Sequence, residues 1–478
     1  MGKKVPFEWL AVTAGIIILV MLLFIRPVTG VADNGDFHRV MTAGGLTYFD
    51  EGESYEDRYF GYAHEKYGYG PFLFGSYVSS QIPLVVLAGL LGRVWNGEWF
   101  DIRVLASLYS ALFLAALFIL VKFNKSSSFW FNLALTGVLV VVFADVGYTA
   151  YFNSFFGEAA TLVFMLLTVG LVLGALRAER GASGLLAAFF LAAALLVSTK
   201  LQYAPIGVVI GLLGIRLMRA RTDRGWRRTA VIGSAVVLAA SIVVYAAAPG
   251  GLKGINLYQT VFFGVLKDSP DPARDLQELG LPESLAVNAG TNYFQKDAVI
   301  KQNDPRIEEA LSKIGHTDVL LYYAKHPLRF VQKLERGAKN GMSVRPYYLG
   351  SFDQAEGRGR GALNYAYSVW SEFKHTHVPN RLWFVALFYL LYVGVILASY
   401  FKRRRSESLE SRARRRLALE VLLTVALIGV FALAVPLVGD GEADLGKHLF
   451  LFNVCFDLMA ITALMGLVNS VLNLRFKR

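Results

Sequence analysis

The sequence predicts an all-α polytopic membrane protein, and two observations support this fold class. Of its 478 residues, 55% are hydrophobic and the mean hydropathy is +0.45, whereas an ordinary soluble domain is about 45–50% apolar. Long apolar runs also recur along the chain, and the loops between them alternate between basic and acidic composition. Such alternation is typical of proteins that cross a membrane several times. An ordinary soluble domain is therefore excluded.

About ten apolar runs have the length of about 20 residues that a helix needs to cross the hydrocarbon core. They lie at about residues 7–25, 102–121, 129–146, 159–176, 183–199, 203–218, 229–248, 382–400, 417–438 and 448–470. The first run is not followed by a small-residue cleavage site, so we interpret it as an uncleaved signal-anchor. The single cysteine, Cys455, lies in the last run, so we expect no disulfide framework.

The basic residues predict the orientation of these helices. Lysine and arginine concentrate in alternate loops, at 3–4, 122–125, 177–180, 216–228, 402–416 and 475–478. The positive-inside rule places these loops, and both termini, in the cytoplasm. A net charge of +12 could otherwise suggest a nucleic-acid partner, but topology and attraction to anionic lipid account for about half of the basic residues. We therefore expect a plasma-membrane protein whose partners include membrane lipids and no nucleic acid.

Residues 71–95 are also apolar enough to cross the membrane. If they did, the basic loops at 216–228 and 402–416 would face outward, against the charge rule. We therefore predict an interfacial helix on the outer leaflet, inside a first outer loop at 26–101. The sequence then predicts three regions. Residues 1–250 contain helices one to seven, residues 251–380 form a small extracytoplasmic loop domain, and residues 381–478 contain helices eight to ten.

A pair of carboxylates follows the first apolar run, where Asp33 and Asp36 flank an Asn-Gly dipeptide. One of them could act as a general base, or the two together could hold a divalent cation. The simpler interpretation is a structural turn, because Asn-Gly is a common turn dipeptide and aspartate caps helices well. The sequence alone leaves both interpretations open.

Two further outer turns carry ionisable residues. Glu158 lies beside Asn153 in an aromatic-rich turn, and an ionisable residue at the mouth of a membrane helix is a candidate acceptor or metal site. The alternative is an aromatic belt in which Glu158 favours a helix amino terminus. In the next outer turn, Lys200 could bind a phosphate, or its ammonium could simply reach the interface.

The last outer turn, GDGEADLGKHLFLFN, has the densest polar sequence at any predicted helix end. Lys447 and His448 could bind a phosphate or diphosphate leaving group, with Asp444 orienting His448. A solvated turn is the alternative. A zinc site is a weaker interpretation, because a single histidine beside carboxylates is a poor zinc pattern.

Two aromatic segments of the outer loops could contact sugar rings or belong to an interfacial belt. Tyr62 belongs to the tyrosine-rich stretch GYAHEKYGYGPFLFGSY of the first outer loop. Arg345 lies in SVRPYYLG, a basic and aromatic patch of the predicted loop domain at 251–380, called the second outer segment below. Neither pattern decides between the two interpretations.

The sequence resembles the GT-C superfamily of membrane glycosyltransferases. The resemblance rests on the acidic motif after the first run, the amphipathic segment in the first outer loop, the second run beginning DIRVLASLYSALF, and the large late outer loop. More narrowly, DNGDF, YFNSFFGE and DGEADLGKHLFLFN resemble the WsfD-type hexose transferases of bacterial surface-glycan clusters.

The resemblance implies a GT-C-like fold, a polyprenyl-phosphate sugar donor, a glycan or lipid-linked acceptor, and inverting transfer at the extracytoplasmic face. The implied catalytic aspartate is Asp33 or Asp36, because DxxD stands here where these enzymes usually have DD or DE. Roles in binding the lipid phosphate fall on Lys200, Lys447, His448 and Arg345, with Asp444 and Tyr62 supporting them. The resemblance leaves the need for a divalent cation, Mg²⁺ or Mn²⁺, open.

Two other activities use lipid-linked saccharides. A glycan polymerase or ligase typically relies on arginines of the outer loops, whereas carboxylates dominate the first outer loop here. A transporter or flippase would place charges near the middle of its spans and show repeat symmetry. The apolar runs contain few charges, Glu420 and Asp457 among them, and no internal repeat is evident. The sequence therefore favours a glycosyltransferase.

Overall fold

The computed structural model describes residues 5–75, 77–402 and 408–475, most of which are helical. The long helices are α1 (Phe7–Leu23), α2 (Ile82–Trp95), α3 (Arg103–Asn124), α4 (Phe129–Phe143), α5 (Glu158–Arg177), α6 (Ala182–Val197), α7 (Ile206–Met218), α8 (Arg224–Ala246), α9 (Gly250–Thr260), α10 (His316–Lys325), α11 (Pro327–Asn340), α12 (Leu382–Phe401), α13 (Leu409–Gly439) and α14 (Phe450–Arg475). Shorter α-helices are His38–Met41, Val146–Thr149, Pro272–Glu278, Pro305–Leu311, Val369–His377 and Leu445–His448. Single 3₁₀ or π turns cover Thr42–Gly44, Asp57–Gly61, Ala150–Asn153, Leu201–Tyr203, Val261–Val265, Glu283–Asn288 and Gln354–Glu356.

Each of the predicted apolar runs forms a helix, which confirms the all-α polytopic fold class. Among the described residues, 7 helices are long and apolar enough to cross a membrane. The count rises to 8 if α4 and its continuation Val146–Asn153, bent by 51°, form one span. Helices α1 and α6 are apolar but shorter, with 17 and 16 residues. Length and composition thus support seven to eight of the predicted spans.

Helix α5 forms the centre of the bundle. Within its most apolar stretch of 18 residues, 94% is buried, as expected for a helix that is apolar on every face. Glycines allow its neighbour to approach closely, since a β-carbon on Gly170 would lie 2.9 Å from Ile119 and one on Gly174 would lie 2.6 Å from Phe123. Small residues at such crossings are typical of packed membrane helices.

The loops predicted to be cytoplasmic converge at one end of the bundle. Lys125 after α3 pairs with Glu8 of α1 at 2.9 Å, and Arg177 at the end of α5 donates to the Asn124 side chain at 2.8 Å. The opposite end carries the turns that follow α1, α4, α6 and α13. The chain thus has one basic end and one end where the motifs identified in the sequence gather.

Helix α2 lies in the predicted first outer loop and packs mainly on α3 and on the turn Thr42–Gly44. Its 14 residues span about 21 Å, which is shorter than the hydrocarbon core of about 30 Å. Its start is held in place by the Gln81 amide, which donates to the Phe155 carbonyl at 2.9 Å. Leu90, Val94 and Trp95 are exposed along one side. These features agree with the predicted interfacial helix.

A small antiparallel sheet that the sequence analysis did not predict supports α2. Its strands are β1 (Leu46–Tyr48), β2 (Lys66–Tyr69) and β3 (Phe100–Asp101), in the order β1-β2-β3. Leu46 pairs with Tyr69, and Lys66 pairs with Asp101. With strands of four residues or fewer, too little alternation was present in the sequence to reveal them.

The second outer segment packs in two parts. Helices α9 and α10, with the turns between them, surround a hydrophobic cluster of their own that includes Tyr258, Leu276 and Val319. In contrast, Val344 and Leu349 further along belong to the core of the helix bundle. The predicted domain boundaries at 251 and 380 therefore stay a prediction.

A fully buried ion pair anchors the second outer segment to the bundle. Lys374, in the helix Val369–His377, contacts Asp457 of α14 at 2.6 Å, and both side chains are 0% exposed. Asp457 also accepts hydrogen bonds from the Tyr148 hydroxyl at 2.6 Å and the Trp370 indole at 2.7 Å. A buried charge is tolerated when it is paired and hydrogen-bonded in this way.

Replacing Lys374 with Met should lower the free energy of unfolding by about 3–5 kcal/mol, because Asp457 would stay buried without a counter-charge. Thermal unfolding of the purified protein in detergent measures this effect. The double variant Lys374→Met/Asp457→Leu should recover most of the loss, since both charges are then replaced by apolar groups. A single variant that unfolds at the wild-type temperature would contradict the prediction.

Candidate functional site

A cavity of about 1390 Å³ opens at the end of the bundle opposite the basic loops. The turn after α1, the turns before α5 and after α6, the end of α13 and part of the second outer segment line it. Its volume exceeds the range of about 300–1,000 Å³ that is usual for small-molecule sites. Most of the charged residues that the sequence analysis singled out lie around it.

Asp33 is fully buried and holds the turn after α1. Its Oδ1 accepts hydrogen bonds from the backbone amides of Gly35 at 2.8 Å and Phe37 at 3.2 Å, and its Oδ2 accepts one from the Tyr48 hydroxyl. Burial raises the pKa of this carboxyl. Asp33 is absent from the lining of the cavity, so its environment matches the structural turn that was the simpler interpretation.

Asp36 lines the cavity and forms the centre of a charge cluster. Its carboxylate contacts the Lys447 ammonium at 2.5 Å and the Arg39 guanidinium at 3.2 Å. Burial alone would raise the pKa of the Asp36 carboxyl, but the charges of Lys447 and Arg39 hold it well below its usual range. Arg39 was missed from the sequence, although its position three residues after Asp36 could have indicated the pair.

Lys447 links the first and last outer turns. It is 1% exposed and lies between Asp36 and Asp444, whose Oδ2 is 3.0 Å from its Nζ. Burial would lower the pKa of this ammonium, but the two carboxylates raise it well above its usual value, so Lys447 stays charged. The Asn34 side chain donates to Asp444 at 3.0 Å, and the Tyr348 hydroxyl bonds the same carboxylate.

Asp444 adopts a left-handed backbone conformation with φ 45°. This conformation is uncommon for a residue other than glycine and is often found at functional sites, where the surrounding contacts hold it in place. Here the contacts with Lys447 and Asn34 supply that constraint.

A second charge pair, between Glu158 and Lys200, lies on another wall of the cavity. Glu158 begins α5 and is 0% exposed, while the Lys200 side chain is 16% exposed. Asn153, predicted beside Glu158, lies outside the lining and donates to the carbonyls of Leu23 at 3.1 Å and Thr29 at 2.8 Å. Asn153 therefore fixes the end of α1 behind the cavity.

The partner of His448 differs from the predicted one. Asp440, not Asp444, faces the His448 ring, with 3.4 Å between Oδ2 and Nδ1, whereas Asp444 accepts the backbone amide of His448. Burial lowers the pKa of His448 to about 4, and burial together with Asp444 and Asp36 raises the pKa of Asp440. Asp440 lay in the acidic turn, but nothing in the sequence distinguished it from its neighbours.

The stability of the protein should rise with pH between about 4 and 6.5 through His448. In this window the unfolded chain binds a proton at His448 that the folded chain does not, so acid favours unfolding. His448→Gln should therefore flatten the dependence of the unfolding temperature on pH. Asp440→Asn should steepen this dependence. The raised pKa of Asp440 means that the folded chain binds a proton there more tightly than the unfolded chain, so in wild type this residue makes stability fall as pH rises.

Unfolding temperatures of both variants and wild type, measured between pH 4 and 7, check this prediction. Parallel curves for wild type and His448→Gln would contradict it.

Arg345 and Tyr62 lie outside the lining of the cavity. Arg345 is 3% exposed and pairs with Glu372 at 3.1 Å, and its guanidinium lies 5.0 Å from the Tyr365 ring. These contacts give Arg345 a structural environment within the second outer segment. These positions do not favour the predicted role of Arg345 in binding the lipid phosphate. They also do not favour the predicted role of Tyr62 in supporting that site.

Several buried oxygen atoms of the lining residues accept no hydrogen bond from any described residue: Asn34 Oδ1, Glu158 Oε2, Gln259 Oε1 and Asp440 Oδ1. Buried polar atoms are normally paired, so each unpaired one calls for an explanation. A ligand rich in hydroxyl groups would supply donors to these acceptors.

The carboxylates that could have formed a cation site point to different partners. Asp36 and Glu158 each contact a lysine, and Asp33 faces Tyr48. Within the described ranges, no three histidine, cysteine, aspartate or glutamate side chains are grouped to hold a metal ion.

The cavity also has an apolar part, called here the apolar arm, where α9, α10 and α11 pack beside α13. Leu252, Ile255, Leu320, Phe330, Phe431 and Val435 line this arm. The site therefore joins a charged region, suited to a phosphate, to an apolar surface suited to a hydrocarbon chain.

Residues 3–478 match the model of the family described as the YfdI N-terminal transmembrane domain. The chain belongs to this family. The YfdI family is GT-C-like, so the superfamily inferred from the sequence is confirmed, while the narrower WsfD-type resemblance stays a prediction.

Among solved structures, the chain is similar to the archaeal oligosaccharyltransferase AglB from Archaeoglobus fulgidus, in complex with an inhibitory peptide and a dolichol-phosphate. The two chains are 12% identical with a TM-score of 0.42, over 100% of this YfdI-family chain and 52% of AglB. The chain thus spans about half the length of that protein. No curated protein matches the sequence significantly.

Proposed function

We propose that this YfdI-family protein is an inverting glycosyltransferase that moves a monosaccharide from a polyprenyl-phosphate donor to a cell-surface glycan or lipid-linked acceptor. The observation that carries the proposal is the Asp36–Lys447 pair, which places a carboxylate and a buried ammonium together in a cavity with an apolar arm. The carboxylate suits proton abstraction and the ammonium suits a phosphate leaving group. The site lies at the end predicted to be extracytoplasmic.

The cations of the cavity would act on the departing lipid phosphate. When the bond between the anomeric carbon and the phosphate oxygen breaks, a phosphodiester with one negative charge becomes a phosphomonoester with two. Lys447, Arg39 and Lys200 line the cavity and would stabilise this added charge. Because the charge develops as the bond breaks, they would bind the transition state more strongly than the bound donor.

Asp36 would act as the general base. It takes the proton of the acceptor hydroxyl while that oxygen forms the new bond to the anomeric carbon, on the face opposite the leaving phosphate. The sugar inverts at this carbon. The free carboxylate is a weak base because Lys447 and Arg39 hold its pKa low. A donor phosphate bound to the same cations would offset their charge and raise that pKa, so Asp36 becomes a better base once donor is bound.

The apolar arm supports a lipid donor over a soluble one. A polyprenyl chain could lie against Leu252, Ile255 and Phe431 while its phosphate reaches the charged region of the same cavity. Since such a chain otherwise lies among lipid tails, the arm would keep it in an apolar environment while the phosphate enters the charged region. A nucleotide sugar would leave this surface uncovered.

The charges within the helices do not favour the transporter alternative. Glu420 forms an ion pair with Arg216 at 2.8 Å, and Asp457 forms the buried pair with Lys374. Both carboxylates have structural partners, and neither lines the cavity. The polymerase or ligase alternative shares the site and differs in the size of the transferred glycan.

Purified protein in detergent, incubated with synthetic undecaprenyl-phosphate hexoses and labelled trisaccharides of glucose, galactose and mannose, tests the proposal. We expect one-sugar extension with inverted anomeric configuration, which mass spectrometry and NMR detect. Transfer from UDP-hexoses alone, or retained configuration, would contradict the donor or the mechanism. Transfer of several linked sugars in one step from a lipid-linked oligosaccharide would favour the polymerase or ligase.

A further inference from the structure

We infer that the open mouth of the cavity, formed by Tyr55, Tyr59, Phe294 and Tyr348, is a binding subsite for a saccharide ring of the acceptor. All four residues line the cavity. The inference rests on the proposed function and deepens it, because it assigns the class of acceptor and the residues that select it.

The mouth brings together two loops that are far apart in the sequence. Tyr55 of the first outer loop and Phe294 of the second outer segment are each 65% exposed. The Lys296 ammonium lies 5.8 Å from the Tyr55 ring, which connects the two loops, and Tyr55 packs on Tyr59 with 4.9 Å between ring centroids. Exposed aromatic rings that converge on one cavity indicate a ligand site more than a need of folding.

The mouth is also connected to the charge cluster. Tyr348 is 47% exposed, and its hydroxyl donates a hydrogen bond to the Asp444 carboxylate. Asp444 in turn contacts Lys447, which is the ion-pair partner of Asp36. A ring held at the mouth would therefore lie on the path between solvent and the proposed base. An acceptor that enters through the mouth would present its hydroxyls to the cavity that Asp36 lines.

A sugar ring fits the chemistry of the mouth. A pyranose presents a face of C–H groups to an aromatic ring and hydroxyls around its edge. The aromatic faces of Tyr55 and Phe294 suit the first, and the carboxamide of Asn292, which also lines the cavity, suits the second. A membrane interface is the other common environment of exposed aromatics. The neighbours of these rings argue against it, because Glu56, Asp57, Asn292 and Lys296 are charged or polar, unlike the apolar side of α2.

The test compares transfer to a saccharide with transfer to water. Tyr55→Ala, Phe294→Ala and the double variant are assayed with undecaprenyl-phosphate hexoses and the labelled trisaccharides of glucose, galactose and mannose. We expect each single change to raise the KM for the trisaccharide about tenfold, which corresponds to loss of one ring contact. Hydrolysis of the donor without acceptor, and binding of the donor, should stay unchanged.

Phe49→Ala is the matched control, since Phe49 is 55% exposed in the same outer loop but lies outside the cavity. Its acceptor KM should equal that of wild type. The subsite is overturned if the Tyr55 and Phe294 variants keep the wild-type KM, if they weaken donor binding and acceptor KM equally, or if wild type hydrolyses donor yet transfers to no trisaccharide. A wild-type protein that neither hydrolyses nor transfers would instead remove the proposed function itself.

Discussion

Replacing Asp36 with Asn should reduce sugar transfer by at least about 1,000-fold, in the upper part of the range for loss of a general base. The amide has nearly the same shape as the carboxylate but cannot take a proton from the acceptor hydroxyl. Rates of transfer from undecaprenyl-phosphate hexoses, with donor binding measured in parallel, check this expectation. Donor binding should persist, because Lys447, Arg39 and Lys200 remain to contact the phosphate.

Asp33→Asn provides the matched control, three residues away in the same turn. Its amide oxygen can still accept the hydrogen bonds from Gly35 and Phe37, so the turn should persist. We expect its transfer rate to stay within about tenfold of wild type, since Asp33 lies outside the cavity. If Asp33→Asn abolished transfer while Asp36→Asn did not, the roles of the two carboxylates would be reversed.

Replacing Lys447 with Met should lower transfer by about 100- to 1,000-fold, as found when one preorganised charge is removed from a developing anion. Its loss also frees Asp36 from its strongest partner, so the pKa of that carboxyl should rise toward its usual range. The acid limb of the pH–rate profile should then move to higher pH. Transfer rates measured between pH 4 and 9 separate the lower maximal rate, which reports the lost charge, from the shifted acid limb, which reports the pKa of Asp36.

Lys447→Arg should recover part of the rate, because the positive charge is retained while its geometry changes. Lys125→Met, at the opposite basic end of the bundle, should leave the rate unchanged. A Lys447→Met variant with an unshifted acid limb would show that Lys447 does not control the protonation of Asp36.

The helices were predictable because each apolar run carries its own signal. The interfacial placement of α2 was predicted from the charges of distant loops. One further crossing would have moved the basic loops at 216–228 and 402–416 to the outer side of the membrane. The short strands around Leu46 and Lys66 were not predictable, because two to four residues show no periodicity. Their pairing depends on contacts between separate parts of the loop.

The site was predictable only in part. Sequence reasoning selected the turns that carry Asp36, Glu158, Lys200 and Lys447, because ionisable residues at helix ends stand out among apolar runs. It could not choose between Asp33 and Asp36. That difference depends on the turn, where Gly35 with φ +99° lets one carboxylate face inward and the other face the cavity. Nor could it pair Asp440 with His448.

The pair between Asp36 and Lys447 joins residues 411 positions apart. The turn that carries Asp36 is synthesised long before the turn that carries Lys447, so this carboxylate lacks its ammonium partner until residues 445–448 have been made. A chain interrupted before residue 445 would carry Asp36 with Arg39 and Lys200 as its nearby cations, and it would lack the wall that Lys447 and His448 contribute. The pair therefore forms only after almost all of the chain between its two residues has been synthesised, which makes it a late contact in the assembly of the site.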